Sequence, residues 1–249
     1  MVPVRKALLI ISGDVSECQI PAQRIRRFLF SPMGGGWLAS EIHTLVNPDL
    51  TLLSNTLKGI NGDYTMTFFI GPSFHDAANR KFLMVNDVDF IHMDELMNDS
   101  PRQLLLLDVL THARDLPLYA TGTTYERIVA RNLYSRWLER TPAGTVMLHT
   151  NHEPSAMDPG FLTQLLLSID APDATTFQPR FKSILQVGLT MNSNYRKIGL
   201  NSELVFATSG NPGLPFGLVL PQQAKTTAPV QSTQAAFKKL FGLLFNTVN

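Results

Sequence analysis

Four consecutive leucines followed by an acidic residue constrain this chain more than any other stretch. Residues 104–107 are all leucine, and Asp108 follows them directly. A short, uninterrupted apolar run of this kind predicts a strand that is buried on both faces, as in the middle of a parallel sheet. In open α/β sheets, ligands bind in the crevice beyond the carboxyl ends of the strands. The sequence therefore predicts that Asp108 stands at the functional edge of a parallel sheet.

Strand signals and helix signals alternate along the rest of the chain. Further strands are predicted at residues 7–11, 42–46, 64–70, 145–149 and 202–207, with a small hairpin at residues 81–85 and 89–91. Helical spacing of apolar residues predicts helices at residues 20–30, 50–60, 125–138, 161–169 and 181–189, and one helical turn at residues 93–97. Such alternation predicts an α/β domain with a mostly parallel sheet.

The composition changes near residue 222. Residues 1–221 carry the α/β pattern, whereas residues 222–233 are mainly Gln, Ala, Lys, Thr and Pro and are predicted to form a linker. Residues 234–249 place five apolar side chains on one helical face, namely Phe237, Leu240, Phe241, Leu244 and Val248. We therefore predict a carboxy-terminal amphipathic helix, which docks on its own domain, on a partner or, as the weaker alternative, on a membrane through residues 235–248.

Charge and cysteine content exclude several classes of function. The formal net charge is +1, without a block of like charges, so no nucleic-acid partner is expected. The single cysteine, Cys18, permits neither an intramolecular disulfide nor a cysteine-based zinc site, and neither a metal nor a cofactor is expected. No signal peptide and no membrane-length apolar segment is recognised, so a cytoplasmic location is predicted.

An ordered series of short motifs extends over residues 5–220. They are the strand at residues 6–10, Gly34-Gly35-Gly36-Trp37 with Glu41-Ile42, residues 45–48, residues 63–73, residues 102–112, residues 144–148, residues 160–166, and Leu214-Pro215-Phe216-Gly217. In order and spacing this series resembles a caspase-like (clan CD, metacaspase-related, peptidase C14-type) cysteine peptidase domain of the compact microbial or viral kind. The resemblance implies a three-layer α/β/α fold with a mostly parallel central sheet of about six strands, flanked by helices.

The resemblance fails at both catalytic positions. Residues 63–73 match the segment that carries the family's catalytic histidine, but Pro72 stands where the histidine is expected. Residues 102–112 match the strand that ends in Asp-x-Cys, but Leu110 stands where the cysteine is expected. Cysteine peptidases need a thiolate and a histidine that transfers its proton. Neither proline nor leucine supplies such a group, so the expected dyad is absent.

Four residues are fallback candidates for a relocated active site: Cys18, Ser73, His75 and His112. A Cys18–His75 pair or a Ser73–His112 pair would restore a nucleophile and a base near the same sheet edge. The alternative, which we favour, is that Cys18 is a partly buried loop thiol and that the histidines are ordinary loop residues.

Asp108 has two interpretations. In metacaspase-like relatives, the carboxylate two residues before the nucleophile holds a Lys or Arg side chain of the substrate, so the resemblance implies a binding role for Asp108. Alternatively, Asp108 pairs with Arg102 or Arg114, or caps the following helical turn, because an unpaired buried charge is costly. We favour the second interpretation.

The leading functional hypothesis is a catalytically inactive pseudo-peptidase that acts as a binding, regulatory or assembly subunit. Its expected partner is a protein or peptide, including a second copy of the chain or an active paralogue. One alternative is a divergent cysteine or serine endopeptidase or other hydrolase with a relocated nucleophile. Another is a structural protein that self-associates through residues 234–249.

Overall fold

The computed structural model describes residues 2–107, 119–150, 160–170, 180–197 and 204–219. The strands are β1 (Arg5–Ile11), β2 (Ile42–Val46), β3 (Tyr64–Ile70), β4 (Ser73–His75), β5 (Lys81–Met84), β6 (Phe90–His92), β7 (Arg102–Leu106), β8 (Gly144–Thr150), β9 (Arg180–Ser183), β10 (Leu204–Gly210) and β11 (Pro215–Val219). The α-helices are α1 (Val15–Phe30), α2 (Leu50–Gly59), α3 (Thr124–Arg140), α4 (Phe161–Asp170) and α5 (Ile184–Lys197), and 3₁₀ turns cover Ala39–Glu41 and Met93–Leu96.

A six-stranded sheet forms the centre of the molecule, in the order β10-β8-β7-β3-β1-β2. All neighbouring strands run parallel except β10, which pairs with β8 in the antiparallel direction. β7 lies in the interior of this sheet, and its Leu104, Leu105 and Leu106 are buried, as is Leu107 just beyond it. The predicted α/β class, the mostly parallel sheet of about six strands and the doubly buried leucine strand are confirmed.

Each face of the sheet has its own hydrophobic core. Alternate residues such as Leu9 and Phe68 pack beneath α1, α3, α4 and α5. Their neighbours, such as Leu8 and Phe69, pack beneath α2, the Met93–Leu96 turn and the inner face of a small sheet. Because successive side chains of a strand point to opposite faces, one continuous apolar strand supplies both cores. This arrangement is compatible with a three-layer α/β/α fold.

The small sheet has the order β4-β5-β6 and is antiparallel throughout. The predicted hairpin is confirmed as β5 and β6, and the structure adds β4 on its other side. Leu83 of β5 and Ile91 of β6 are buried against the central sheet. The small sheet therefore covers part of one face of the central sheet, and only two residues separate it from β3.

Local sequence signals account for the helix starts. The Asp49 side chain caps α2 by accepting a 2.7 Å hydrogen bond from the backbone N–H of Leu52. Thr123 and Glu126 form a reciprocal capping box at the start of α3. Capping residues satisfy backbone donors that the first helical turn leaves unpaired. No helix within the described parts of the chain is long and apolar enough to span a membrane.

The structure corrects the predicted starts of two helices and adds β9 and β11, besides β4, to the predicted strands. The helix expected at residues 181–189 begins only at Ile184, because residues 180–183 form β9 and pair with β11. Helix α1 begins at Val15, five residues before the predicted start. The linker at residues 222–233 and the amphipathic segment at residues 234–249 lie outside the described residues.

Candidate functional site

The carboxyl edge of the central sheet is the place where the sequence predicts a functional site. The parallel strands β1, β2, β3, β7 and β8 all end at this edge. β3 and β7 are direct neighbours in the sheet. The segment with the expected histidine position follows β3, and the segment with the expected cysteine position follows β7. The fold therefore brings to adjacent strand ends the two segments that are far apart in the sequence.

Two loops at this edge are locked together by an asparagine. Asn47, at the end of β2, adopts a left-handed conformation with φ 44°. Its side-chain oxygen accepts a 2.9 Å hydrogen bond from Gly13 N, and its amide nitrogen donates to Gly13 O at 3.3 Å. Asparagine tolerates this conformation better than most residues. The loop after β1 is thereby held against the end of β2.

The loop after β3 approaches the same structure closely. A Cβ atom added to Gly71 would lie 2.8 Å from Ser12 Cβ, so only glycine fits there without movement. Ser12 N also donates to Ile70 O at 2.8 Å. Pro72 is exposed beyond Gly71, and its carbonyl accepts a 3.1 Å hydrogen bond from Met84 N. The site of the expected histidine is therefore a solvent-facing proline in a tightly packed loop.

Cys18 is fully buried in α1, within the core beneath that helix. Its thiol donates a hydrogen bond to the backbone oxygen of Ser12, with a sulfur–oxygen distance of 3.3 Å. A reactive cysteine is a thiolate in a partly exposed, electropositive environment. Cys18 has instead the surroundings of a structural thiol.

Ser73 and His75 belong to β4 and project from the same face of that strand. Ser73 is partly buried opposite Leu83, and His75 is exposed opposite Lys81. The small sheet that carries His75 packs on the face of the central sheet opposite the core that contains Cys18. The structure therefore separates the Cys18 and His75 candidates. Asp108, Leu110 and His112 lie outside the described residues, so their predicted roles stay predictions.

Arg102 was one of the predicted partners of Asp108. It lies at the amino end of β7, where its Nε donates to Thr141 O at 2.6 Å and its Nη1 donates to Asp63 O at 3.2 Å. Strands rise about 3.3 Å per residue, so β7 separates Arg102 from the carboxyl edge by its whole length. Arg102 is thus held at the opposite edge of the sheet.

Two buried polar residues at the carboxyl edge were missed by sequence reasoning. Lys81 is only 3% exposed, and its Nζ donates to Thr150 O, at the end of β8, over 3.0 Å. His149 is equally buried, with Nδ1 3.1 Å from the same oxygen. Lys81 alternates with the buried Leu83 and Val85, and this period of two was the signal that its side chain points inward. The Lys81 ammonium group therefore lies at the carboxyl end of β8.

The amino edge of the sheet holds a different polar cluster. Arg5 is fully buried between the rings of Trp37 and Tyr134, with Cζ 4.7 Å and 5.3 Å from the two ring centroids. Glu41 accepts a 3.4 Å hydrogen bond from Arg5 Nη2 and a bidentate pair from Arg131 at 2.6 Å and 2.7 Å. Opposite charges and aromatic faces together compensate the burial of the guanidinium group.

The pKa values in this cluster follow from burial and charge. Burial lowers the pKa of Arg5, although the Glu41 charge opposes that change. Burial alone would raise the pKa of Glu41, but the hydrogen bond from Arg131 and the charge of Arg5 hold it below its usual range. Burial also raises the pKa values of Tyr64 and Tyr134, whose hydroxyl groups both donate to Pro215 O. Burial and the neighbouring charges therefore act in opposite directions on the pKa values of both Arg5 and Glu41.

Two glycines of the Gly-Gly-Gly-Trp segment make this cluster possible. Gly35 and Gly36 have φ values of 99° and 59°. An added Cβ would lie 2.6 Å from the Tyr134 ring at Gly35, and 2.3 Å from the Arg127 carbonyl oxygen at Gly36. Glycine adopts positive φ without a steric penalty. These residues, which carry part of the resemblance, therefore serve packing at the amino edge.

An exposed aromatic face covers the outside of the small sheet. The rings of Phe74, Phe82 and Phe90 pack against one another with centroid distances of 5.6–5.7 Å. Phe74 is 39% exposed and Phe90 is 55% exposed. Contiguous exposed apolar side chains of this size are typical of interaction surfaces. Phe90 also borders a groove of about 490 Å³ between α2 and the Met93–Leu96 turn.

Two sequence comparisons found no relative of this chain. No protein-family model matches this chain, and no curated protein sequence matches it significantly. Among residues 2–107, 119–150, 160–170, 180–197 and 204–219, no three His, Cys, Asp or Glu side chains are grouped as metal ligands would be. The carboxyl edge of the sheet and the exposed aromatic face are therefore the features of this chain that bear on its function.

Proposed function

We propose that this chain is a pseudo-peptidase, a caspase-like domain without peptidase chemistry that acts as a binding, regulatory or assembly subunit. The observation that carries the proposal is Pro72, which is exposed at the end of β3 where the resemblance expects the catalytic histidine. A proline side chain cannot accept or donate a proton, and Leu110 cannot attack a carbonyl group. The chain therefore lacks both partners of the expected dyad.

The fold supports the assignment of these two positions. The motif segments expected to carry histidine and cysteine follow β3 and β7, which are neighbours in a mostly parallel sheet. A nucleophile and its base must lie within hydrogen-bond reach, so adjacent strand ends suit such a pair. The substitutions thus fall in the two segments where loss of the groups removes the chemistry.

The burial of Cys18 supports the loss of thiol chemistry. A peptide carbonyl must reach the attacking sulfur, but Cys18 is enclosed in the core and donates its proton to a backbone carbonyl. Apolar surroundings favour the neutral thiol over the thiolate. The only cysteine in the chain is therefore poorly suited to act as a relocated nucleophile.

The aromatic face supports the binding part of the proposal. Phe74, Phe82 and Phe90 expose ring surface beside the loop that contains Pro72. Aromatic residues are enriched in protein–protein interfaces because they bury much area with few rotatable bonds. A protein or peptide partner that docks on this face would lie next to the former catalytic edge.

Peptidase chemistry is tested directly with the purified full chain. We expect neither labelling by electrophilic peptide probes nor cleavage of reporter peptides that end in Lys, Arg or Asp. Cys18→Ala is the matched control, since any genuine turnover by this thiol disappears in that variant. Turnover that Cys18→Ala abolishes would overturn the proposal. In the double variant Pro72→His and Leu110→Cys, new probe labelling at residue 110 would locate the former dyad.

A serine-based hydrolase is the second candidate, favoured by the position of Ser73. This residue follows Pro72 directly and projects from β4 on the same face as His75, at the carboxyl edge. Fluorophosphonate labelling of the full chain tests it, with Ser73→Ala as the variant and Ser54→Ala, on α2, as the matched control. Labelling lost only in Ser73→Ala would favour the hydrolase over the pseudo-peptidase.

A further inference from the structure

The groove beside α2 is apolar at its floor and along its flanks. Leu53 and Leu57 of α2 and Ile91 of β6 form a buried floor. Leu50, Phe90 and Met97 line the groove and are 43%, 55% and 45% exposed. Large apolar side chains that converge on one concavity favour occupation by apolar groups. A groove between a helix and a neighbouring turn suits an amphipathic helix, which would insert side chains at helical spacing.

The polar rim of the groove is more acidic than basic. Glu95 and Asp99 stand on the side of the Met93–Leu96 turn, and Lys58 stands on the α2 side. All three residues are exposed. Two carboxylates against one ammonium group favour an occupant with a positive charge beside its apolar face.

One segment of this chain has those properties. Residues 234–249 place Phe237, Leu240, Phe241, Leu244 and Val248 on one helical face, and their only charged side chains are Lys238 and Lys239. The last described residue is Val219, so 14 residues precede position 234. An extended chain spans about 3.3 Å per residue, or roughly 45 Å over that stretch. The segment can therefore reach a groove that lies within about 45 Å of Val219 along the surface.

We propose that the groove between α2 and the Met93–Leu96 turn binds residues 234–249 of the same chain as an amphipathic helix. The apolar stripe covers Leu53, Leu57 and Phe90, and Lys238, which flanks the stripe on the helix, faces Glu95 and Asp99. Linkage within one chain gives the segment a high effective concentration at the groove, so docking needs only modest intrinsic affinity. The inference does not depend on the loss of peptidase chemistry.

Cross-linking of paired cysteines tests the docking. In a Cys18→Ala background, Ser54→Cys in the groove is combined with Gly242→Cys in the segment and treated with a short bis-maleimide. Ser193→Cys, an exposed position on α5 across the sheet, replaces Ser54→Cys in the control. We expect a cross-link within one monomer for Ser54→Cys. The yield of that link should be at least about tenfold lower for Ser193→Cys, because docking raises the local concentration at the groove. Equal yields at both positions, or a linked dimer alone, would overturn the proposal.

A charge exchange tests the register of the segment without altering its apolar face. Glu95→Lys with Asp99→Lys should lower the internal cross-link severalfold, since like charges then oppose each other across the rim. Adding Lys238→Glu should restore it, whereas adding Lys239→Glu instead should restore much less, because position 239 projects from the side of the helix opposite the apolar stripe. The same cross-link yield in every one of these variants would contradict the proposed pairing.

Discussion

Both edges of the central sheet hold buried polar side chains, but the carboxyl edge also exposes two of the positions singled out in the sequence. At the amino edge, Glu41 and Arg131 form an ion cluster with Arg5, which is buried between aromatic rings. At the carboxyl edge, Pro72 in the loop after β3 and His75 in β4 are exposed. Residues in the first group stabilise the fold, whereas those in the second can change without opening the core. A substitution at an exposed position such as Pro72 therefore need not lower the stability of this fold.

The same comparison explains which parts of the resemblance indicate fold and which indicate activity. The amino-edge cluster includes Gly35, Gly36, Trp37 and Glu41. The motif that contains these residues therefore indicates how the chain packs. The resemblance assigns activity to the positions of Pro72 and Leu110. Pro72 lies at the carboxyl end of β3, so a substitution there leaves the packing of the amino edge in place.

Removing the central carboxylate should have the largest effect on stability. Glu41→Ala leaves Arg5 buried without its counter-ion, and breaking a buried pair in this way costs about 3–5 kcal/mol. Urea unfolding at pH 7 measures the loss. Asp76→Ala is the control, since Asp76 pairs with Arg80 in an exposed turn of the small sheet and its loss should be much smaller. A loss for Glu41→Ala no larger than for this control would show that the amino edge is not the stabilising one.

Adding a methyl group at the amino edge should have the second-largest effect on stability. Gly36→Ala forces a side chain into φ 59° and against the Arg127 carbonyl, which we expect to cost about 2 kcal/mol or more. Gly59→Ala is the matched control at the end of α2, where an added Cβ meets nothing within 4 Å. That variant should be more stable by about 0.4–1 kcal/mol, because alanine lowers the conformational entropy of the unfolded chain. Thermal unfolding of both proteins checks whether the signs differ.

The pair of hydrogen bonds between Asn47 and Gly13 at the carboxyl edge should contribute less to stability. Asn47→Ala removes the two side-chain hydrogen bonds to Gly13 and puts alanine at φ 44°, so we expect a loss of about 1–2 kcal/mol. Asn47→Gly loses the same hydrogen bonds, but glycine adopts the positive φ of this position without strain. Its loss of stability should therefore be smaller. Equal losses in the two variants would mean that the backbone conformation contributes nothing.

The smallest expected effect is the contribution of Glu41, at the amino edge, to the pH dependence of stability. The pKa of Glu41 is lower in the folded protein than its ordinary value, so its ion pairing stabilises the fold above the unfolded-state pKa of about 4.3. That contribution is lost as pH falls from there through the folded-state pKa. Glu41→Gln should therefore flatten the acid limb of the unfolding free energy, measured between pH 7 and pH 3. An unchanged acid limb would exclude Glu41 as its source.

Local patterns were sufficient for most of the elements. The leucine run of β7, the aromatic run of β3 and the periodic residues of α2 each carry their own signal, because burial on both faces or on one face selects residue type directly. β9 was missed because its Arg180-Phe181-Lys182-Ser183 sequence has no such signal. It is a strand only because β11, more than 30 residues later, supplies its hydrogen-bond partners.

The sequence by itself determined that this is an α/β chain and that Pro72 and Leu110 cannot perform peptidase chemistry. Tertiary structure decided that Arg5 and Lys81 are buried, that Cys18 is enclosed, and that β3 lies beside β7. The physical reason is separation along the chain: Glu41 lies 36 residues from Arg5, and Thr150 lies 69 residues from Lys81. The residues next to a charged side chain in the sequence cannot show which distant residue will bind it when it is buried.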